Sequence, residues 1–184
     1  MAVSVRKMTL LALLAAAGIL LFGAESFLPQ PLPGGKIGLS HVATLLALYG
    51  LGLPEAFTVV LLRVILVALF VGGFLNPVFW FALSGGVVAT AAMGAVKQWA
   101  HGVSIVGNSL VGAFAHNTTQ LLLAYFILVR RPGLFALFPY LTLVSVVSGF
   151  FVGVLSEFLL NYVQKAGAAG TGKPFSKWNA NGSR

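Results

Sequence analysis

Cysteine is absent from the 184 residues, which excludes disulfides, thiol catalysis and iron–sulfur ligation. Carboxylates are nearly absent too. Glu25, Glu55 and Glu157 are scattered along the chain and no aspartate occurs, so no acidic cluster exists to hold magnesium and diphosphate during prenyl transfer. His41, His101 and His116 fall on different predicted elements, with no close pair of histidines or acids to suggest a zinc or di-metal site. Neither a metal nor a cofactor is expected. Charged residues make up 8% of the chain against 59% apolar, and mean hydropathy is +0.99. Too little polar surface remains for a soluble globule, and the expectation is an all-α integral membrane protein.

Six apolar runs are predicted as helices, over about 8–22, 39–51, 55–71, 75–96, 103–129 and 134–162. The first lacks a convincing cleavage site and is read as a retained helix rather than a signal peptide. Pro29, Pro31 and Pro33 with Gly34-Gly35 forbid helix between the first two runs and give a restrained loop, read as a flap over an outer cavity. Pro54 suits a first helical turn and Glu55 beside it complements the dipole. From Gln164 onward apolar periodicity is lost, which predicts one membrane domain over 1–163 and a disordered cytosolic tail over 164–184. Within that tail Gly167 to Lys173 nearly matches a phosphate loop, but Pro174 replaces the hydroxyl that should hold magnesium.

The net charge of +8 belongs to the membrane rather than to nucleic acid. With the amino terminus inside, Arg6, Lys7, Lys97, Lys165, Lys173, Lys177 and Arg184 are cytosolic, while outer loops hold Lys36, Arg130 and Arg131. This bias predicts a six-transmembrane-helix bundle in the cell (inner or cytoplasmic) membrane with both termini cytosolic.

Polar residues inside the runs point to a site. At 100° per residue Ser109, Ala113, His116, Asn117 and Gln120 share one arc of the fifth helix, with Leu110, Phe114, Leu121, Leu122 and Tyr125 mostly elsewhere. Arg63 stands near the centre of the third helix, where an arginine facing lipid costs from about 2.5 to above 10 kcal/mol. Asn76, Trp80 and Ser84 are spaced four apart on the fourth helix, and Ser84-Gly85-Gly86 also suits close helix packing. The predicted orientation puts Lys36, Ser40 and His41 at the outer surface, Asn76, Trp80 and Gln120 in the outer half, and Arg63, Ser84 and His116 near the midplane. Such a gradient predicts an outward-opening cavity with Lys36, Ser40, Arg63, Asn76, Trp80, Ser84, His116, Asn117 and Gln120 as substrate-binding residues. Its basic and neutral donors, with no acid nearby, favour an anionic or carbonyl-rich solute. In the sixth run Thr142, Ser145, Gly149 and Ser156 read as a packing stripe, and Glu157 is expected to pair with a neighbouring base.

Lys36 to His41, Leu61-Leu62-Arg63-Val64, Ser84-Gly85-Gly86, Ser104 to Gly107 and Gly112 to Gln120 together resemble the membrane family named both "heptaprenyl diphosphate synthase component I" and "Gx transporter family". That family is similar to the S-components, the substrate-binding subunits of energy-coupling factor (ECF) transporters. The resemblance implies a six-helix bundle, a solute site near the outer face, and partners comprising a membrane coupling subunit and a cytosolic ATPase pair. It also implies that Ala12 and Ala16 on the first helix face the coupling subunit, internal packing being the alternative for them. Two functions follow: a non-catalytic solute-binding subunit of an ECF-type importer for a small vitamin-like or anionic solute, or a non-catalytic membrane component associated with a polyprenyl diphosphate synthase.

Overall fold

The structure, a computed structural model, describes residues 5–27, 38–71, 73–100 and 102–171. Lys36, the proline segment from Pro29 and His101 lie outside the described residues. Six α-helices follow in order: α1 (Val5–Phe27), α2 (His41–Gly50), α3 (Leu53–Val71), α4 (Pro77–Trp99), α5 (Ile105–Ala124) and α6 (Phe138–Thr171). A π-helical turn, Tyr125–Val129, and a 3-10 helix, Pro132–Leu137, join α5 to α6.

Five of the helical segments are long and apolar enough to cross a membrane, and α2 is not. At ten residues α2 is about 15 Å long, half of a hydrocarbon core of roughly 30 Å. Seven of its residues, Val42 to Leu45, Ala47, Leu48 and Gly50, are nonetheless buried. It is a half-length helix wrapped by the others, which answers to the second predicted run, short enough in the sequence to be tilted or incomplete.

Chain direction follows from local contacts. Lys7 pairs with Glu55, bringing the start of α1 to the start of α3. Gly52, at φ +134, turns α2 straight into α3, and its amide donates to the Ala47 carbonyl. Phe79 at the start of α4 packs on Val60, Val64 and Ala68, and Gly94 near its end lies against Leu53, so α3 and α4 are antiparallel. Gly112 against Met93 and Gly85 against His116 set α5 antiparallel to α4, and Gly153 against Val106 with Gly149 against Leu110 does the same for α6 and α5. With α2 running back alongside α3, the alternation brings the first and last helical residues to one end of the bundle.

Lipid tails are as apolar as leucine, so tight contact rather than water exclusion must hold such helices together. The glycines supply it. A Cβ on Gly153 would fall 2.7 Å from the Val106 Cα, and one on Gly149 2.9 Å from the Leu110 Cα. Asn108, fully buried at the start of α5, adds polar glue by donating from Nδ2 to the Tyr49 hydroxyl and the Met93 carbonyl, both at 3.0 Å. Lys97 closes the same end, its Nζ 2.6 Å from the Leu48 carbonyl and lying over the Tyr49 ring. Exposed Leu13, Leu20, Leu69, Phe70, Phe126, Phe150 and Phe151 form the outer wall.

Helix α6 runs on past Gln164 to Thr171, and the rest of the predicted tail lies outside the described residues; one other expectation is corrected. Glu157 is exposed and forms no ion pair with a described residue.

Candidate functional site

A cavity of about 820 Å³ lies within the bundle, inside the range of roughly 300–1,000 Å³ usual for small-molecule sites. It runs from exposed Asn76, Val78 and Leu128 at one end to buried Met93 and Val152 at depth. The Lys97, Tyr49 and Asn108 contacts lie beyond that floor.

The polar wall assembles from α1, α2, α3, α5 and α6, with Asn76 at the start of α4. Arg63 is 5% exposed and lines the cavity, and its Nη1 has no hydrogen-bond partner. Helix α3 carries it inward because Val60 and Val64 on the same face are buried, while Leu61, Leu62 and Ile65 face outward. Gly18 on α1 makes the room, since a Cβ there would meet the Arg63 Cδ at 3.2 Å. On α5, Ser109, Ala113, His116, Asn117 and Gln120 all line the cavity, as their shared arc requires, and Phe114 and Leu122 are exposed. Asn117 donates from Nδ2 to the Ser145 hydroxyl at 2.8 Å, and Gln120 reaches the Phe81 carbonyl at 3.4 Å. His116 Nδ1 lies against the backbone of Gly85, and only a glycine permits this, because a Cβ there would sit 2.7 Å from that nitrogen.

Ser40 and His41, expected at the outer surface, meet Arg63 and His116 in the cavity instead. The shortness of α2 is the reason, since its amino-terminal end reaches only midway. The rings of His41 and His116 stand edge to face at 4.7 Å, which corrects the expectation that no histidines pair. Among the described residues no group of three or more His, Cys, Asp or Glu could hold a metal ion.

Asn76 lines the mouth, but its side chain also caps α4 by accepting from the Val78 amide. Trp80 and Ser84 are not in the lining. Trp80 is 47% exposed and Ser84 donates to the Trp80 carbonyl within its own helix at 2.7 Å. Four-residue spacing placed the three on one face but could not say that the face turns outward below Asn76. Ala12 and Ala16 are exposed, while Ala15 and Gly18 face inward, so the small pair does not serve internal packing.

Glu25 is the residue that sequence reasoning missed. It is 3% exposed, lines the cavity and accepts from the amides of Gly38 at 2.6 Å and Leu39 at 3.2 Å, one per oxygen. The expectation of no nearby acid is therefore corrected. Gly38, at φ +75, makes the turn that presents both amides. The carboxylate is near enough to act electrostatically on Arg63, though no ion pair forms.

A multi-pass α-helical membrane protein enclosing a cavity with polar side chains in its wall is the class that this fold and site define. The sequence matches the family model of heptaprenyl diphosphate synthase component I over residues 14–159, and the chain belongs to that family. No curated protein and no solved structure gives a match.

Proposed function

We propose that this protein is a non-catalytic membrane component that acts beside a polyprenyl diphosphate synthase and holds a small anionic ligand in its cavity. The single observation carrying the ligand reading is Arg63, a buried guanidinium in the cavity lining whose Nη1 has no hydrogen-bond partner among the described residues. A structural arginine at that depth would bind carbonyls or an acid. The family name supplies the association with a synthase. Three scattered carboxylates support the absence of prenyl-transfer chemistry in the chain itself. In this reading α2 completes a six-helix bundle of the cytoplasmic membrane, both termini are cytosolic, and the cavity opens outward.

A second reading is kept for one observation. Ala12 and Ala16 leave α1 a small-residue face pointing away from the bundle, as a subunit resembling an ECF S-component needs for docking on a coupling subunit with its ATPase pair. Cross-linking in native membranes followed by affinity capture separates the two. A soluble prenyl synthase is the expected partner. Capture of a coupling subunit and ATPases without a synthase would replace this function with import of the cavity's solute.

A further inference from the structure

We propose that the cavity is the mouth-side part of a path through the bundle and that its floor is a gate, so that this chain by itself opens a small polar solute's site to one membrane face and then to the other. It rests on the ligand-cavity reading above and adds a second exit.

The cavity is deep. Helix α5 lines it from Ser109 to Ala124, a rise of about 22 Å at 1.5 Å per residue, and Leu128 carries the stripe further. On antiparallel α4 the lining residues Val78 and Met93 lie as far apart. A hydrocarbon core is roughly 30 Å thick, so little of it is left below the floor. Met93 is buried, whereas Lys97, one turn further along α4, is exposed. That turn separates the cavity from the opposite end of the bundle.

Side chains, not backbone, fill it. A Cβ on Gly112 would fall 2.5 Å from the Met93 Sδ, so the thioether lies against α5 in space that a glycine leaves open. Methionine is unbranched and flexible, and it can leave that space without backbone movement. Beneath it the contacts are polar. Lys97 holds the Leu48 carbonyl and lies over the Tyr49 ring, while Asn108 donates to the Tyr49 hydroxyl and the Met93 carbonyl. Such contacts can break and reform, whereas the backbone-filled glycine contacts of α6 with α5 cannot. A movable floor is therefore set in a rigid wall.

The same region buries polar atoms that it leaves unsatisfied. Asn108 Oδ1 and Thr44 Oγ1 have no hydrogen-bond partner among the described residues, and both side chains are fully buried. Thr44 sits on α2 between cavity-lining His41 and Leu48, whose carbonyl Lys97 holds. Fixed packing gains nothing from unpaired polar groups inside a bilayer, where such residues mark the pathways of polar solutes. With Met93 and Lys97 swung aside, Asn108 and Thr44 offer hydrogen bonds along the way out.

Ser109 is 2% exposed and in the lining, and changed to cysteine in this cysteine-free chain it reports on both exits. The full chain is labelled in sealed membrane vesicles of either orientation with an anionic, membrane-impermeant methanethiosulfonate. Ser109→Cys should react from the mouth face and, more slowly, from the Lys97 face. Adding Lys97→Met should raise the Lys97-face rate about tenfold, the factor that a hydrogen bond from a charged group contributes, and adding Tyr49→Phe should raise it several-fold. Neither variant should change the mouth-face rate. No reaction from the Lys97 face in any of the three proteins makes the cavity blind and overturns the path. A Lys97-face rate that both variants leave unchanged overturns the gate, and so does an equal rise from both faces, which is a loosened bundle. Should Lys97→Met fail to fold, Tyr49→Phe decides alone on the same outcomes. Neither ligand nor partner enters the labelling, so it fails separately from the anionic-ligand reading and from the capture of a synthase.

Discussion

At the scale of single residues, polar groups stand out because the bilayer makes each one costly. Arg63, His116, Asn117 and Gln120 were legible for that reason, each sitting in the middle of an apolar run, and all four line the cavity. Glu25 was not legible, because it lies where the first run meets the proline-rich segment and reads as loop. Only the structure shows α1 continuing past it to Phe27. Trp80 and Ser84 lie outside the cavity lining, since regular spacing fixes a shared face and not the direction it points. Gly85→Leu should drive His116 and Gln120 out of place, destabilise the fold by about 1–3 kcal/mol and weaken ligand binding, because its side chain has no free volume. Gly133→Ala, with nothing within 4 Å of the added Cβ, should leave both unchanged. Asn108→Leu removes the hydrogen bonds to the Met93 carbonyl and the Tyr49 hydroxyl and should cost about 1–2 kcal/mol in detergent unfolding assays.

Elements were legible by their hydropathy and their breakers, less so by their role. Pro54 and Pro132 start helical segments and Asn76 caps one, as their chemistry requires. Hydropathy alone could not tell a buried half-length helix from a tilted span, which is why α2 was counted as a sixth crossing. It also could not show that the stretch after Gln164 keeps helical backbone. The contact between α5 and α6 depends on two glycines four apart whose Cβ positions are filled by backbone atoms of α5, and backbone cannot give way as a flexible side chain does. Gly149→Val and Gly153→Val should therefore force the helices apart, break the Asn117–Ser145 hydrogen bond and lower the thermal midpoint by several degrees, about 1–3 kcal/mol each. Gly23→Ala, which meets nothing within 4 Å, is the control expected to be silent.

For the whole molecule, the alternation of helix directions makes a clean topological prediction, and the lack of native cysteine makes it easy to read. Single cysteines at Gln98 and Gln164 should react with a membrane-impermeant maleimide from one side of sealed vesicles, and those at Phe74 and Arg131 from the other. Five alternating crossings without the return through α2 would instead put Gln164 on the side opposite Lys7, and labelling of a cysteine at Lys7 together with Arg131 rather than with Gln164 would establish that arrangement. A bundle with the cavity running to one end, floored by Met93 and Val152, makes the ligand the central claim. Native mass spectrometry of the protein released gently from its own membranes tests it most directly. The account predicts a stoichiometric anionic adduct on the wild type that is lost from Arg63→Gln while bound bilayer lipids are unchanged. A wild type without any adduct, or equal occupancy in the two proteins, would contradict it.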